Sequence, residues 1–161
     1  MRFEHHVPVN STETPAPRRL TRKDLWRGLW LRVEQPALFM PGLVTSVILA
    51  REEGEIRRRL HFSAACVEDR VRFMPEEWVR FDSAPAAGQT GGSLTILIEN
   101  EGNADNSLAL RFCYQTEIAS SDGPYIEYLK SAYHASDLET LRVIRKFLAE
   151  HKKVYPDKAR M

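Results

Sequence analysis

The sequence predicts one α+β domain, an antiparallel sheet of about seven strands covered by a single long C-terminal helix. Three observations carry that prediction. Outside one helical stretch, apolar and polar residues up to Tyr114 alternate in short runs, the period of half-buried strands. After Ser120 the period changes to about 3.6 and holds to His151. The chain has 161 residues, 43% hydrophobic and 28% charged, values that support one ordinary core without staples.

From Arg2 to Val9 the odd positions Phe3, His5, Val7 and Val9 share one face of a strand. Asn10 to Arg19, with Pro15 and Pro17, is a loop. Thr21 and Asp24 form a capping-box pair, and Leu25, Leu29 and Val33 follow at helical spacing until Pro36. Between Pro36 and Gly42 there is room for one helical turn. Leu43 to Arg51 is the next strand, with Glu52-Glu53-Gly54 as its turn. Glu55 to Phe62, Val67 to Met74 and Trp78 to Asp82 follow as strands. Ala84 to Gly92 is a loop. A hairpin closes the sheet, with Leu94, Ile96 and Ile98 on one arm, a polar turn over 100–106, and Leu108, Leu110, Phe112 and Tyr114 on the other. Asp122-Gly123-Pro124 opens the last helix, with proline in its first turn. Ser136 and Glu139 form a second capping-box pair that would split it, but one continuous helix to His151 is the expectation. It packs through Leu129, Tyr133, Ile144 and Leu148. Residues 1–151 form the domain and 152–161 a fraying tail.

Lys+Arg 23 against Asp+Glu 22 leaves a net charge of +1, so the basic footprint of a nucleic-acid binder is missing. The longest apolar stretch, Leu43 to Ala50, is far short of the roughly 20 residues that span a bilayer. The N-terminus has no apolar run of signal-peptide kind. Cys66 and Cys113 make no disulfide framework and are expected as buried, reduced thiols, which suits a cytoplasmic protein. Neither Cys-x-x-Cys nor His-Glu-x-x-His occurs, and His5 and His6 point to opposite strand faces, so no metal or other cofactor is expected. Gly88 to Ser93 lacks the Gly-Lys-Ser/Thr ending of a phosphate loop and reads as a hairpin loop. No Gly-x-Ser-x-Gly elbow marks a nucleophile.

The helix ending at Gln35-Pro36, followed by Ala37-Leu38-Phe39-Met40-Pro41-Gly42-Leu43 and a strand, resembles the "Asp-Pro … Pro-Gly-Val" joint of the START-like (SRPBCC, helix-grip) superfamily, with Gln35 at the usual acidic position. Phe3-Glu4-His5, Val7-Pro8-Val9-Asn10, Leu20-Thr21, Leu25-Trp26-Arg27-Gly28-Leu29, Asp69-Arg70-Val71-Arg72-Phe73 and Gly91-Gly92-Ser93-Leu94-Thr95 resemble its AtaL-like branch, whose function is unknown. The resemblance covers nearly the whole chain. It implies a curved sheet gripping the C-terminal helix around an internal cavity. It further implies that the loop at 88–93 lies near the cavity mouth. Members bind apolar molecules, some cyclise or dehydrate polyketides, and some bind proteins.

Within such a cavity the candidate ligand-binding residues are Trp26, Trp30, Phe39, Phe81, Tyr114 and Tyr133, with Arg58 and Asp69 as polar members. Arg58 and Asp69 stand where alternation demands apolar side chains. Ile56, Leu60 and Phe62 are even-numbered, and Val67, Val71 and Phe73 are odd-numbered. Facing residues must therefore sum to an odd number, which brings Arg58 and Asp69 to one face, opposite or diagonal. A buried charge needs a partner, so the two are either a structural pair or a polar anchor at the cavity wall. The expected function is binding of a small hydrophobic molecule, lipid-, sterol- or polyketide-like. The alternatives are a polyketide cyclase or dehydratase using Asp69, His5 or a tyrosine, and a protein-interaction module. A homodimer stays open.

Overall fold

The computed structural model describes residues 1–11, 13–85, 91–100, 107–116 and 123–154, with side chains in the last helix described from Tyr125 to His151. The elements follow the predicted order: β1 (Arg2–Pro8), α1 (Arg22–Glu34), β2 (Leu43–Glu52), β3 (Glu55–Phe62), β4 (Cys66–Met74), β5 (Trp78–Ser83), β6 (Gly92–Asn100), β7 (Leu108–Thr116) and α2 (Gly123–Val154). Short 3-10 turns occupy Ala16–Arg18 and Pro36–Leu38. The strands form one curved antiparallel sheet in the order β1-β7-β6-β5-β4-β3-β2. Its edges are therefore β1 and β2.

Local chemistry sets the joints. Thr21 accepts from the Asp24 backbone amide and Asp24 accepts from that of Thr21, the reciprocal cap the sequence predicts for α1. Gly54 turns the β2–β3 hairpin with φ +73°, a conformation that costs glycine little. The buried Asn10 side chain holds Leu20 at both its amide and its carbonyl, and so closes the loop before α1. α2 runs unbroken past Ser136 and three residues beyond the expected boundary at His151. The turn over 101–106 and residues 155–161 of the tail lie outside the described residues.

Registers build the interior row by row. Val7 faces Leu110, which faces Ile98, and His5 faces Phe112, which faces Ile96. Leu110, Phe112 and Ile96 are wholly buried, and Ile144 and Leu148 of α2 and Leu25 and Leu29 of α1 join the same core. This end of the grip is filled by apolar side chains. Gly28 lets the two helices meet here, since a Cβ at that position would collide with the Ile144 side chain.

Both cysteines are free, but Cys66 is exposed and Cys113 only half-buried, which corrects the expectation of two buried thiols. The reason is parity. Inward residues are odd-numbered in β4 and even-numbered in β7, so position 66 and position 113 both face out. The same alternation turns Arg57 and Arg59 outward and Arg58 inward. No helix of the described residues is long and apolar enough to cross a membrane.

Candidate functional site

At the other end of the grip the cross-strand rows change character. One row runs Arg58–Asp69–Ser83–Gly92–Thr116 across β3, β4, β5, β6 and β7. Its last three members are too small to reach the helix. The neighbouring row, two residues along each strand, carries Val71, Phe81, Leu94 and Tyr114. Between these rows and Tyr133 of α2 lies a cavity of about 400 Å³, within the usual range for a small-molecule site. Leu60, Phe62, Val67 and Met40 close one side and Arg32 of α1 another. Gly92 sits where a Cβ would press on the Gln115 carbonyl at 2.9 Å, so the backbone itself forms part of this wall. Residues 86–90 of the loop expected at the cavity mouth lie outside the described residues; Ala84, Gly92 and Ser93 at its two ends line the cavity.

Arg58 and Asp69 are directly opposite and are 3% and 6% exposed. Arg58 donates from Nε to Oδ1 at 2.9 Å and from Nη2 to Oδ2 at 2.5 Å, a bidentate charge-assisted pair. Its Nη1 donates to the carbonyls of Val33, at 3.0 Å, and Arg32, at 3.4 Å. The guanidinium thus ties β4 to the C-terminal end of α1, where carbonyls lack helical partners and a cation is favoured. Arg58 lines the cavity with its bonding already committed to the protein, the structural member of the two readings its sequence position allowed.

Of the other expected residues, Phe81, Tyr114 and Tyr133 line the cavity. Tyr114 and Tyr133 stack at 4.0 Å with an interplanar angle of 6°. Trp26, Trp30 and Phe39 do not form its wall. The two tryptophans pack with Phe73, Trp30 edge-on at 4.8 Å, on a half-buried flank of α1. Phe39 is buried beneath the Arg32 guanidinium, whose Cζ lies 5.8 Å from its ring centroid. The tryptophans were expected in the wall as large aromatics, but they only flank the stripe of Leu25, Leu29 and Val33; α1 buries Leu25, Gly28, Leu29, Leu31, Arg32 and Val33 and leaves positions 26 and 30 half-buried.

Two interior charges were not anticipated. Asp137 of α2 is 1% exposed and accepts the Tyr114 hydroxyl on Oδ1. Its Oδ2 lies 3.1 Å from His5 Nδ1, and the His5 ring lies 3.9 Å from that of His134. Burial pushes the Asp137 carboxyl above the ordinary carboxylate range, against the opposing pull of Tyr114 and His5. The Tyr114 hydroxyl is pushed up as well, by burial first and then by the Asp137 charge. The signal for Asp137 was present, four residues after Tyr133 and seven before Ile144 on the face that meets the sheet. Arg32 was similarly marked, seven residues after Leu25.

A family model described as "Acetylaranotin biosynthesis cluster protein L" matches residues 3–151. No curated protein matches the chain in sequence. Among solved structures, the chain is similar to the Zhui aromatase/cyclase from Streptomyces sp. R1128, at 18% identity and TM-score 0.65 over 94% of each chain. It is similar to the di-domain aromatase/cyclase StfQ of steffimycin biosynthesis, at 14% identity and TM-score 0.67, over 93% of this chain and 51% of that one. It is also similar to Ara h 8.0201, at 12% identity and TM-score 0.62, over 93% and 98% of the two chains. These likenesses establish a helix-grip fold.

Proposed function

The chain belongs to the acetylaranotin biosynthesis cluster protein L family, and from that premise we propose that it binds a small hydrophobic molecule of polyketide-like or lipid-like kind inside the grip. The observation that carries this reading is the cavity of about 400 Å³ with aromatic residues Phe81, Tyr114 and Tyr133 on its wall. Protein cores normally fill such space, and here a row of serine, glycine and threonine keeps it open. The family description and the two similar aromatase/cyclases concern biosynthesis of small molecules, which supports a ligand of that size. Two free thiols, one exposed, suit the reducing cytoplasm, where we place the protein. Self-association belongs to the same proposal: Val44 and Val47 of edge strand β2 are exposed, and size-exclusion chromatography reads it directly.

A panel of fatty acids, polyphenols and fused-ring aromatics tests the binding reading by thermal shift. At a free concentration of about 100 times the dissociation constant, linkage stabilises the fold by roughly 2.7 kcal/mol. Mass spectrometry under native conditions on protein from its own host then identifies a retained ligand. No shift with any compound contradicts the reading and favours a protein-interaction module.

A second reading, catalysis of cyclisation or dehydration, rests on one specific observation. Tyr114 lines the cavity and connects through its hydroxyl to Asp137 and His5, a chain of titratable groups leading from the cavity wall. Turnover of a poly-β-ketone that Asp137→Asn slows without weakening binding supports it. Binding without turnover removes it.

A further inference from the structure

Two buried arginines share the Phe81 ring, with Cζ atoms 5.2 Å (Arg58) and 5.5 Å (Arg32) from its centroid. They differ in every other respect. Arg58 is bound to a carboxylate and to two carbonyls. Arg32 is 9% exposed, and its Nε and Nη1 are buried with no hydrogen-bond partner among the described residues. Its contacts at the guanidinium are the faces of Phe39 and Phe81. The nearby carboxylates are already engaged, Asp69 by Arg58 and Asp137 by Tyr114 and His5. Arg32 forms part of the cavity wall.

We propose that Arg32 is the recognition point for a carboxylate on the bound molecule, which makes the ligand an aromatic or aliphatic acid rather than a neutral hydrocarbon, ester or sterol. A buried guanidinium without an acceptor is costly, and an anion that supplies the acceptor removes that cost. Planar, two-pronged donors match a carboxylate in geometry as well as charge. The Phe39 and Phe81 rings hold the guanidinium by cation–π contact. Burial, the largest influence on Arg32, works against its charged form, and an anion in the cavity reverses that penalty. This inference rests on the cavity-binding reading above and adds the ligand's polar end.

The test compares anthracene-2-carboxylate with its methyl ester by fluorescence titration at neutral pH, on the native protein and on Arg32→Met and Arg32→Lys. The native protein is expected to bind the acid at least tenfold more tightly than the ester. Arg32→Met should lose that preference, keep the ester's affinity within about threefold, and melt no lower than the native protein, since it strands no partner. Arg32→Lys should retain part of the preference. Equal affinity for acid and ester in the native protein overturns the anchor while leaving cavity binding intact. A preference that survives Arg32→Met, or a marked loss of stability in that variant without ligand, overturns it too. Failure of acid, ester and the wider apolar panel alike overturns both readings.

Discussion

Arg58 and Asp69 face each other across β3 and β4 and form a bidentate pair inside the grip, with the free arm of Arg58 bound to the end of α1. One interaction therefore connects the sheet, the first helix and the cavity wall.

Removing one partner strands the other charge. Asp69→Leu should cost roughly 3–5 kcal/mol in chemical denaturation. Arg58→Met combined with Asp69→Leu should recover much of that loss, although the contacts to the carbonyls of α1 are not restored. A double-mutant cycle with no coupling contradicts the account of the pair.

The helix contact at Gly28 has a sharper steric limit. Gly28→Ala places a methyl group against Ile144, and the surrounding core is fully buried. The variant should lose about 1–3 kcal/mol, and adding Ile144→Val should return part of it. Unchanged stability of Gly28→Ala contradicts the close approach of α1 to α2.

The Asp137 carboxyl gives a pH signature. Unfolded, it titrates near the ordinary value of about 3.9; folded, burial holds it higher. Below the unfolded value both states are protonated and Asp137 imposes no penalty. As pH rises the unfolded chain ionises first, so stability falls until the folded value has been passed. Asp137→Asn does not ionise. Its stability relative to the native protein should therefore climb as pH rises from about 4, the unfolded value, through the raised folded value, and then level off. Denaturant titrations at several pH values check this, and a flat or falling difference contradicts it.

The order of elements along the chain, the α1 cap and the Arg58–Asp69 pairing were legible because each rests on a local rule, whereas the pairing of β1 with β7 joins distant segments and was not. A charge in a two-residue alternation breaks a pattern with only two faces, so Arg58 and Asp69 declare themselves. A helix is less exacting. Its buried face is more than 100° wide and its edges tolerate polar residues, so Arg32 and Asp137 passed as boundary positions. Asp137 was further masked by Ser136 and Glu139, whose spacing imitates a helix start, while the real helix runs straight through. Trp26 and Trp30 misled in the opposite direction. Large aromatics draw attention as pocket lining, yet their best packing was with Phe73 on the flank of α1. The cavity itself follows from what Ser83, Gly92 and Thr116 fail to fill, and an absence of volume becomes visible only once the strands are in register.

The central claim is that this unfilled space is a binding site, and occluding it is the most direct measurement. Ser83 lies between Asp69 and Gly92 in the cavity row and is half-buried. An apolar fluorescent probe titrated into the native protein should bind at micromolar levels. Ser83→Leu should keep the native circular dichroism spectrum and weaken the probe at least tenfold. Probe affinity unchanged by Ser83→Leu, or no binding to the native protein, contradicts the claim.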